Sequence, residues 1–352
     1  MIVLGIETSC DETAASVVRD GREVVSSVVA SQIEVHQEYG GVVPEIASRA
    51  HERAMLPVLD RAIADAGIGL GDLDAIAIGH RPGLIGSILV GMSAAKALSW
   101  SLGVPLIGVD HVHAHLAAGF LGVETAFEPA LGVVISGGHT TIYRMDSLTD
   151  LTRLGSTIDD AIGEAFDKAA AILGLPYPGG PEIDRLSREA GADDRAVELP
   201  VSRLGKDSLD LSYSGLKTAL LYAAKGKPTP PRIPGKPALV PEPVPELTPD
   251  RVRDLAASFQ RAAVRALVLK VERALDRHDD LKMMVVGGGV SANSLVRSEL
   301  ARIARERGMV LVIPEMKHCV DNAAMIASLG SVLFAQGHRD GLDLVAVPTT
   351  AC

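Results

Sequence analysis

The chain has 352 residues, 47% hydrophobic and 22% charged, apolar material enough for more than one core at this length. Lys and Arg number 34 against 44 Asp and Glu, a net charge of −10, which excludes a generally basic protein that coats nucleic acid. One Trp, five Tyr and five Phe exclude an aromatic stacking platform for single strands.

Residues 2–6 are a short apolar run ending in the polar turn Glu7-Thr8-Ser9, and residues 14–18 are a second run, a strand–turn–strand pattern. A helical stretch over about 43–66 leads to a strand at 75–78, a Pro82-Gly83 turn and a long helix over about 87–102. After Gly103-Val104-Pro105, LIGV reads as a strand running into DHVHAH. The strand–turn–strand pattern returns at 130–143, as ALGVVI, the turn SGGHT and TIY. Residues 158–170 (IDDAIGEAFDKAA) read as a helix.

Within 228–249 lie nine of the chain's 20 prolines. They predict an extended, mobile surface loop, more readily a tolerated insertion than a docking segment. A helix over about 252–277 repeats Val252, Leu255, Phe259, Leu267 and Val271 near a 3.6-residue period. MMVVGGGV is then a strand and glycine turn, followed by a helix from about 291–293, the strand MVLVI and the helix-like DNAAMIA. Strand, turn, helix, strand, polar turn, helix thus occurs twice. This is a duplicated α/β unit, two lobes with a ligand cleft between them.

On a helix, His111 and His115 share one face while His113 points elsewhere. Two imidazoles at that spacing suit one iron or zinc ion, and the duplication supplies a third ligand, Asp321, from the equivalent turn of the second copy. Spacing alone equally allows a surface cluster or a satisfied core histidine. A metalloprotease is excluded, because Val112 stands where its general-base Glu would follow the first His.

VISGGHT (134–140) places two glycines at a strand end, where backbone N–H groups can approach an anion, with Ser136 and Thr140 as extra donors. GGGVSAN (287–293) puts glycines before a helix, again suited to a nucleotide, but it is no GxGxxG, so a dinucleotide fold is disfavoured. Glu164 and Asp167 can accept from ligand hydroxyls or amines, or belong to a solvated face with a Glu164–Lys168 pair. Gly179-Gly180 invites close approach beside the Asp184 carboxylate, and Ser212, Ser214 and Lys217 mark a capped helix start.

GIETSCDET, YGGVVPEIASR, PGL, HVHAH, SGGHT, GEAFDKAA, YPGGP, SYSGLK, GGGVSAN and CVDNAAMIA, in this order over residues 1 to about 337, resemble the tRNA adenosine threonylcarbamoyltransferases. The resemblance implies an α/β fold of the duplicated actin/Hsp70/sugar-kinase (ASKHA, ribonuclease H-like) type, with two lobes around a central cleft. The first lobe is expected at 1–126, joined by a C-terminal helix at about 327–345. The second is expected at 127–326 with a helical insertion, and the Pro-rich loop at 226–250. The implied activity moves a threonylcarbamoyl group from threonylcarbamoyl-adenylate to N6 of adenosine 37, just 3′ of the anticodon, in tRNAs reading codons that start with A. It forms t6A and releases AMP.

By the same resemblance the metal ligands are His111, His115 and Asp321, holding one Fe(2+) per subunit, with Zn(2+) as the alternative. The substrate positions are Val134, Ile135, Ser136, Gly137, Gly138, Asp167, Gly180, Asp184 and Asn293. Asp11 or Glu12 is the candidate for taking the amine proton. The implied partners are tRNA, a paralogous protein of the same fold and a small ATPase. Rival readings are an O-carbamoyltransferase or a small-molecule kinase of the same fold. Arg81 replaces the family's usual Gly, Val320 its usual Thr, and the Pro-rich stretch is longer than in compact members. Arg49, Arg53, Arg81, Lys206 and Lys217 are candidates to meet tRNA at the cleft rim. Three sparse cysteines, no basic signal region and no run of 18 apolar residues lead to the expectation of a cytoplasmic protein without a membrane segment.

Overall fold

A computed structural model describes residues 1–227 and 246–349. The N-terminal strands β1 (Ile2–Glu7), β2 (Glu12–Arg19) and β3 (Glu23–Ser31) form an antiparallel meander. After α1 (Ile33–Gln37) and α2 (Pro44–Ala66), β4 (Ala75–Arg81) joins β1 in parallel. Next come α3 (Ile85–Leu102), the parallel strand β5 (Leu106–Asp110) and, without a break, α4 (His111–Ala117).

The second half repeats this order with β6 (Ala130–Ile135), β7 (Thr140–Met145) and β8 (Leu151–Ser156), again an antiparallel meander. Four helices intervene: α5 (Ile162–Leu173), α6 (Gly179–Ser187), α7 (Ser214–Lys225) and α8 (Pro249–Arg277). Then β9 (Met283–Gly287), α9 (Ser294–Glu306) and β10 (Val310–Val312) complete the sheet in parallel, and α10 (Ala323–Ala335) follows. The sheet orders β3-β2-β1-β4-β5 and β8-β7-β6-β9-β10 are the same topology. The duplication read from the sequence is real.

Two strands escaped the sequence pattern. β3 and β8 are edge strands whose apolar residues are interrupted by exposed polar ones, Glu23, Ser27 and Ser31 in β3 and Thr152 and Arg153 in β8, so neither forms a continuous apolar run. Two boundaries also need correction. Pro249 is the first residue of α8, where its missing N–H costs nothing, and the Thr248 hydroxyl caps the turn by accepting from Arg251 N. Residues 228–245 of the Pro-rich segment lie outside the described residues. The C-terminal helix stops at Ala335 instead of near 345: Gly337 takes φ +89°, and Asp340 bridges to Leu106 at the edge of β5. The chain then returns toward the cleft, with Val347 N donating to His80 O and Gly83 N to Pro348 O.

Helix α3 is, by length and composition alone, apolar enough to cross a membrane. Here it packs Ile88, Met92 and Ala95 into the core of the first lobe.

The two helices that follow the parallel strands cross over. α4 leaves the first sheet and packs Val112 and Leu116 against Ala130, Val134 and Val285 of the second. α10 leaves the second and packs Ala324, Met325 and Ala327 against Val3, Ala77 and Val109 of the first. Close approach demands small residues, and a Cβ on Gly5 would overlap the Ala323 carbonyl oxygen. The N-terminal ends of α4 and α10 meet at the cleft, so residues 111 and 321 become neighbours.

Candidate active site

The Asp110 carboxylate starts α4 as its N-cap, accepting from Val112 N at 3.0 Å and His113 N at 3.2 Å. The helix turns His111 and His115 to one face, ring centroids 4.7 Å apart, while His113 packs edge-on to Tyr143. Asp321 arrives just before α10, whose cap is the neighbouring Asn322. Asp321 Oδ1 lies 3.7 Å from His111 Nε2 and 3.4 Å from His115 Nε2, and one donor atom from each of the three falls within 4.8 Å of the others.

A divalent cation fits this donor set. His115 is completely buried, yet Nε2 makes no hydrogen bond, an orphan that native interiors rarely leave. On the far side of His111, Nδ1 sits 3.1 Å from Glu7 Oε2 and 3.2 Å from Ser9 Oγ. A carboxylate only accepts, so Nδ1 carries a hydrogen and Nε2 is the nitrogen turned to Asp321. Burial opposes charge on His111, but Glu7 and Asp321 outweigh it and hold the ring up at about 9. Burial likewise works against the Asp321 charge, yet the two imidazoles keep that carboxyl well below the usual range. A cation would take the place of this shared proton. Two imidazoles and one carboxylate suit iron(II) or zinc with positions left open.

His111 and Asp321 line the base of a cleft of about 720 Å³ between the lobes, and His115 lies buried behind them. One wall is the β1–β2 turn with Cys10, Asp11 and Glu12, and the opposite wall is the β6–β7 turn with Ser136, Gly137 and Gly138. A Cβ on Gly137 or Gly138 would meet nothing within 4 Å, and neither amide donates to another backbone group among the described residues. Both N–H groups are therefore free for a ligand. Burial, then the neighbouring Asp11, push Glu12 up to about 8, and its Oε2 is buried without a partner. Burial also drives the Cys10 thiol far up, so it is no thiolate nucleophile. Burial lowers His139 to about 4, leaving a neutral ring beside the trio.

The other sequence candidates divide. Asp167 lines the cleft and accepts from Gly179 N at 2.7 Å, holding the YPGGP turn. Val134 and Ile135 are fully buried strand residues, reaching a ligand only through the turn that follows them. Gly180, Asp184 and Asn293 are not in the cleft lining. Asp184 accepts from Gln260 Nε2 and Ser294 Oγ, Asn293 Nδ2 donates to Gln260 Oε1, and Asn293 Oδ1 caps α9. This network anchors the helix beside the cleft.

Arg81 requires a correction. Its guanidinium turns from the rim to Asp110, Nε to Oδ2 at 3.1 Å, beside a separate cavity of about 390 Å³ behind α4. Lys217 is likewise spent on Asp160 at 3.0 Å, while Arg49, Arg53 and Lys206 stay exposed. Val320, in place of the usual Thr, is half exposed in the cleft lining. Sequence reasoning assigned no role to Tyr177 and Pro348, which line the cleft, and did not pair Glu7 of the Glu7-Thr8-Ser9 turn with His111. His139 sat in the SGGHT motif and could have been found there.

A family profile described as TsaD, tRNA N6-adenosine threonylcarbamoyltransferase, matches residues 23–328. A protein of that name from Anaeromyxobacter dehalogenans (strain 2CP-1) is 48% identical over 347 residues, 98% of each chain. Another from Sorangium cellulosum is 46% identical, covering all of this chain and 97% of its own. Among solved structures, full-length HypF in the phosphate- and nucleotide-bound form superposes with a TM-score of 0.58 at 13% identity, over 96% of this chain and 47% of that one. The activator of 2-hydroxyisocaproyl-CoA dehydratase from Clostridium difficile gives 0.50 at 14% identity, over 95% and 94%. These two likenesses establish the fold, the two-lobed ASKHA architecture.

Proposed function

The chain belongs to the tRNA N6-adenosine threonylcarbamoyltransferases, transferases that modify tRNA, and from that premise we propose that its acceptor is N6 of adenosine 37 in tRNAs reading codons that start with A. The donor is threonylcarbamoyl-adenylate, and the products are t6A and AMP. The observation that carries this reading is the cluster of His111, His115 and Asp321, two of which line a cleft walled by a free-amide glycine turn and an acidic pair.

The donor is a mixed anhydride with a good leaving group, whereas an adenine exocyclic amine is a delocalised, weak nucleophile. Positioning and proton removal therefore dominate the barrier. N6 forms a bond to the carbamoyl carbon, the bond from that carbon to the phosphate oxygen breaks, and the amine gives up one proton. Glu12, with a raised affinity for protons at the cleft wall, takes it. The Gly137 and Gly138 amides receive the donor's phosphate or carbonyl oxygen, and Asp167 orders the α5–α6 turn beside it. A bound iron(II) or zinc ion supplies Lewis-acid polarisation and fixes the donor's geometry.

Purified protein given threonylcarbamoyl-adenylate, unmodified tRNA and its partner proteins should produce t6A, read by nucleoside mass spectrometry. Modification of a sugar or other small hydroxyl acceptor in place of tRNA would instead support the carbamoyltransferase or kinase readings. Activity should rise with pH along a limb centred between 4.5, the ordinary glutamate value, and about 8, because only ionised Glu12 accepts a proton and a cation on Asp321 pulls it down from 8. Glu12→Gln should flatten that limb and lower the plateau by about 10²–10⁴-fold; an unchanged limb removes Glu12 from this role.

The remaining partners are also part of the proposal. Leu56 on α2 and Ile85, Leu89 and Trp100 on α3 are large apolar side chains left exposed, a surface suited to a paralogous protein of the same fold, with a small ATPase completing the assembly. Exposed Arg49, Arg53 and Lys206 supply local positive charge for tRNA on an acidic chain. Affinity for tRNA should fall as salt rises from about 50 to 200 mM, and Arg53→Ala should make the log–log slope shallower. A flat salt dependence contradicts phosphate contacts.

A further inference from the structure

His51 is a fully buried histidine on α2 with no place in the chemistry above. Its two ring nitrogens reach both ends of the segment that carries the acidic pair. Nε2 lies 2.9 Å from the Cys10 carbonyl oxygen, and Nδ1 lies 2.8 Å from Thr13 Oγ1. Cys10 immediately precedes Asp11, and Thr13 immediately follows Glu12. A carbonyl oxygen only accepts, so Nε2 carries the hydrogen, and in the neutral ring the Thr13 hydroxyl donates to Nδ1. Burial lowers the affinity of His51 for a proton, which favours that neutral form.

The bracketed segment needs a tether. Asp11 and Glu12 are adjacent carboxylates pressed into a partly buried wall, and burial works against the charge on each. Left free, the turn would relax toward water and toward greater separation of the two charges. The other bonds to the pair come from one short stretch: Ser31 Oγ donates to Glu12 Oε1 at 2.9 Å, and Gln32 N donates to the Asp11 carbonyl at 3.1 Å. His51 is the tether supplied by a long helix packed on the first sheet.

We propose that His51 is a positioning residue, fixing the Cys10–Thr13 segment so that Glu12 faces the cleft base in its partly desolvated setting. The inference rests on the reading of Glu12 as the group that takes the amine proton. His51 touches neither substrate nor metal ligand, so its loss should act on kcat and on the pH limb, and not on metal loading.

The test compares His51→Ala, His51→Gln, Thr13→Val and Glu12→Gln in the reconstituted system. His51→Ala should lower kcat by about 10–100-fold, the cost of misplacing a reacting group by roughly 1 Å, with KM for donor and tRNA within about threefold. Its pH limb should move down, because a released Glu12 regains water. Bound metal per chain should equal that of the unaltered protein. His51→Gln keeps an N–H for the Cys10 carbonyl and should recover part of the loss. Thr13→Val removes only the hydroxyl, so it decides the matter should His51→Ala fail to fold. An unshifted limb and unchanged kcat in Thr13→Val and the folded His51 variants, with Glu12→Gln impaired, overturn the positioning role. Full activity of Glu12→Gln instead overturns the reading of Glu12 on which this inference rests.

Discussion

Alanine at His115 is expected to strip the protein of its divalent metal and to cut threonylcarbamoyl transfer by about 10²–10³-fold, roughly 3–4 kcal/mol of transition-state stabilisation. His115 is the most secluded of the three donors. It is completely buried, its Nε2 has no hydrogen bond, and only Asp321 Oδ1 faces it, at 3.4 Å. No other residue joins His111, His115 and Asp321 in a comparable cluster among the described residues, so nothing replaces the lost ligand. Metal-to-protein ratio by elemental analysis and t6A yield should fall together. His113→Ala is the matched control, since that ring lies against Tyr143 on the other face of α4. It should keep the metal. Retention of metal at full stoichiometry by His115→Ala would falsify the assignment of the trio.

The second large effect is structural and falls on Gly287. A Cβ there would overlap the backbone carbonyl of His115, 2.5 Å from its carbon, and lie 3.0 Å from the His115 Cβ. Backbone cannot swing aside like a flexible side chain, so β9 and α4 must part. Gly287→Ala should therefore cost about 3 kcal/mol in urea unfolding and weaken divalent-metal binding in a chelator competition, because the displaced residue is one of the three proposed ligands. Gly289→Ala should do neither, since a Cβ there meets nothing within 4 Å. Equal stability of the two variants would contradict this packing. The glycine run thus divides its labour. Gly287 admits α4, Gly288 takes φ +96° against the Ile135 carbonyl, and only Gly289 lines the cleft.

Much of the site was legible where a motif and its function lie close in sequence. The i,i+4 spacing of His111 and His115 put both rings on one helix face, and the Pro82-Gly83 and SGG turns both lie in the cleft lining. Asp321 came from a different kind of signal, the repeat, because two copies of one topology place equivalent turns on opposite sides of one cleft. Asp184 and Asn293 show what that reasoning does not reach: Gln260, from the middle of α8, bonds to both, and no local pattern announces that partner. Arg81 is similar. An exposed arginine near a cleft reads as a phosphate contact until a carboxylate 29 residues away claims it.

Composition, apolar periodicity, capping residues and the repeat determined by themselves the class of fold, most of the strands and helices, and the three candidate donors that the fold brings together. These features depend on neighbours a few residues apart or on likeness between the halves, and a linear string records both. Only the tertiary structure decided which groups stand behind the donors. The Glu7 carboxylate that sets the His111 ring is 104 residues from it, the His51 ring that brackets the acidic pair is 41 residues from Cys10, and Pro348 reaches the cleft from the far end of the chain. Such contacts exist because α4 and α10 exchange sheets, α2 packs on the first sheet, and the C-terminal tail pairs with residues 80–83. Their energies depend on burial and orientation, which belong to the packed chain and leave no period in its sequence.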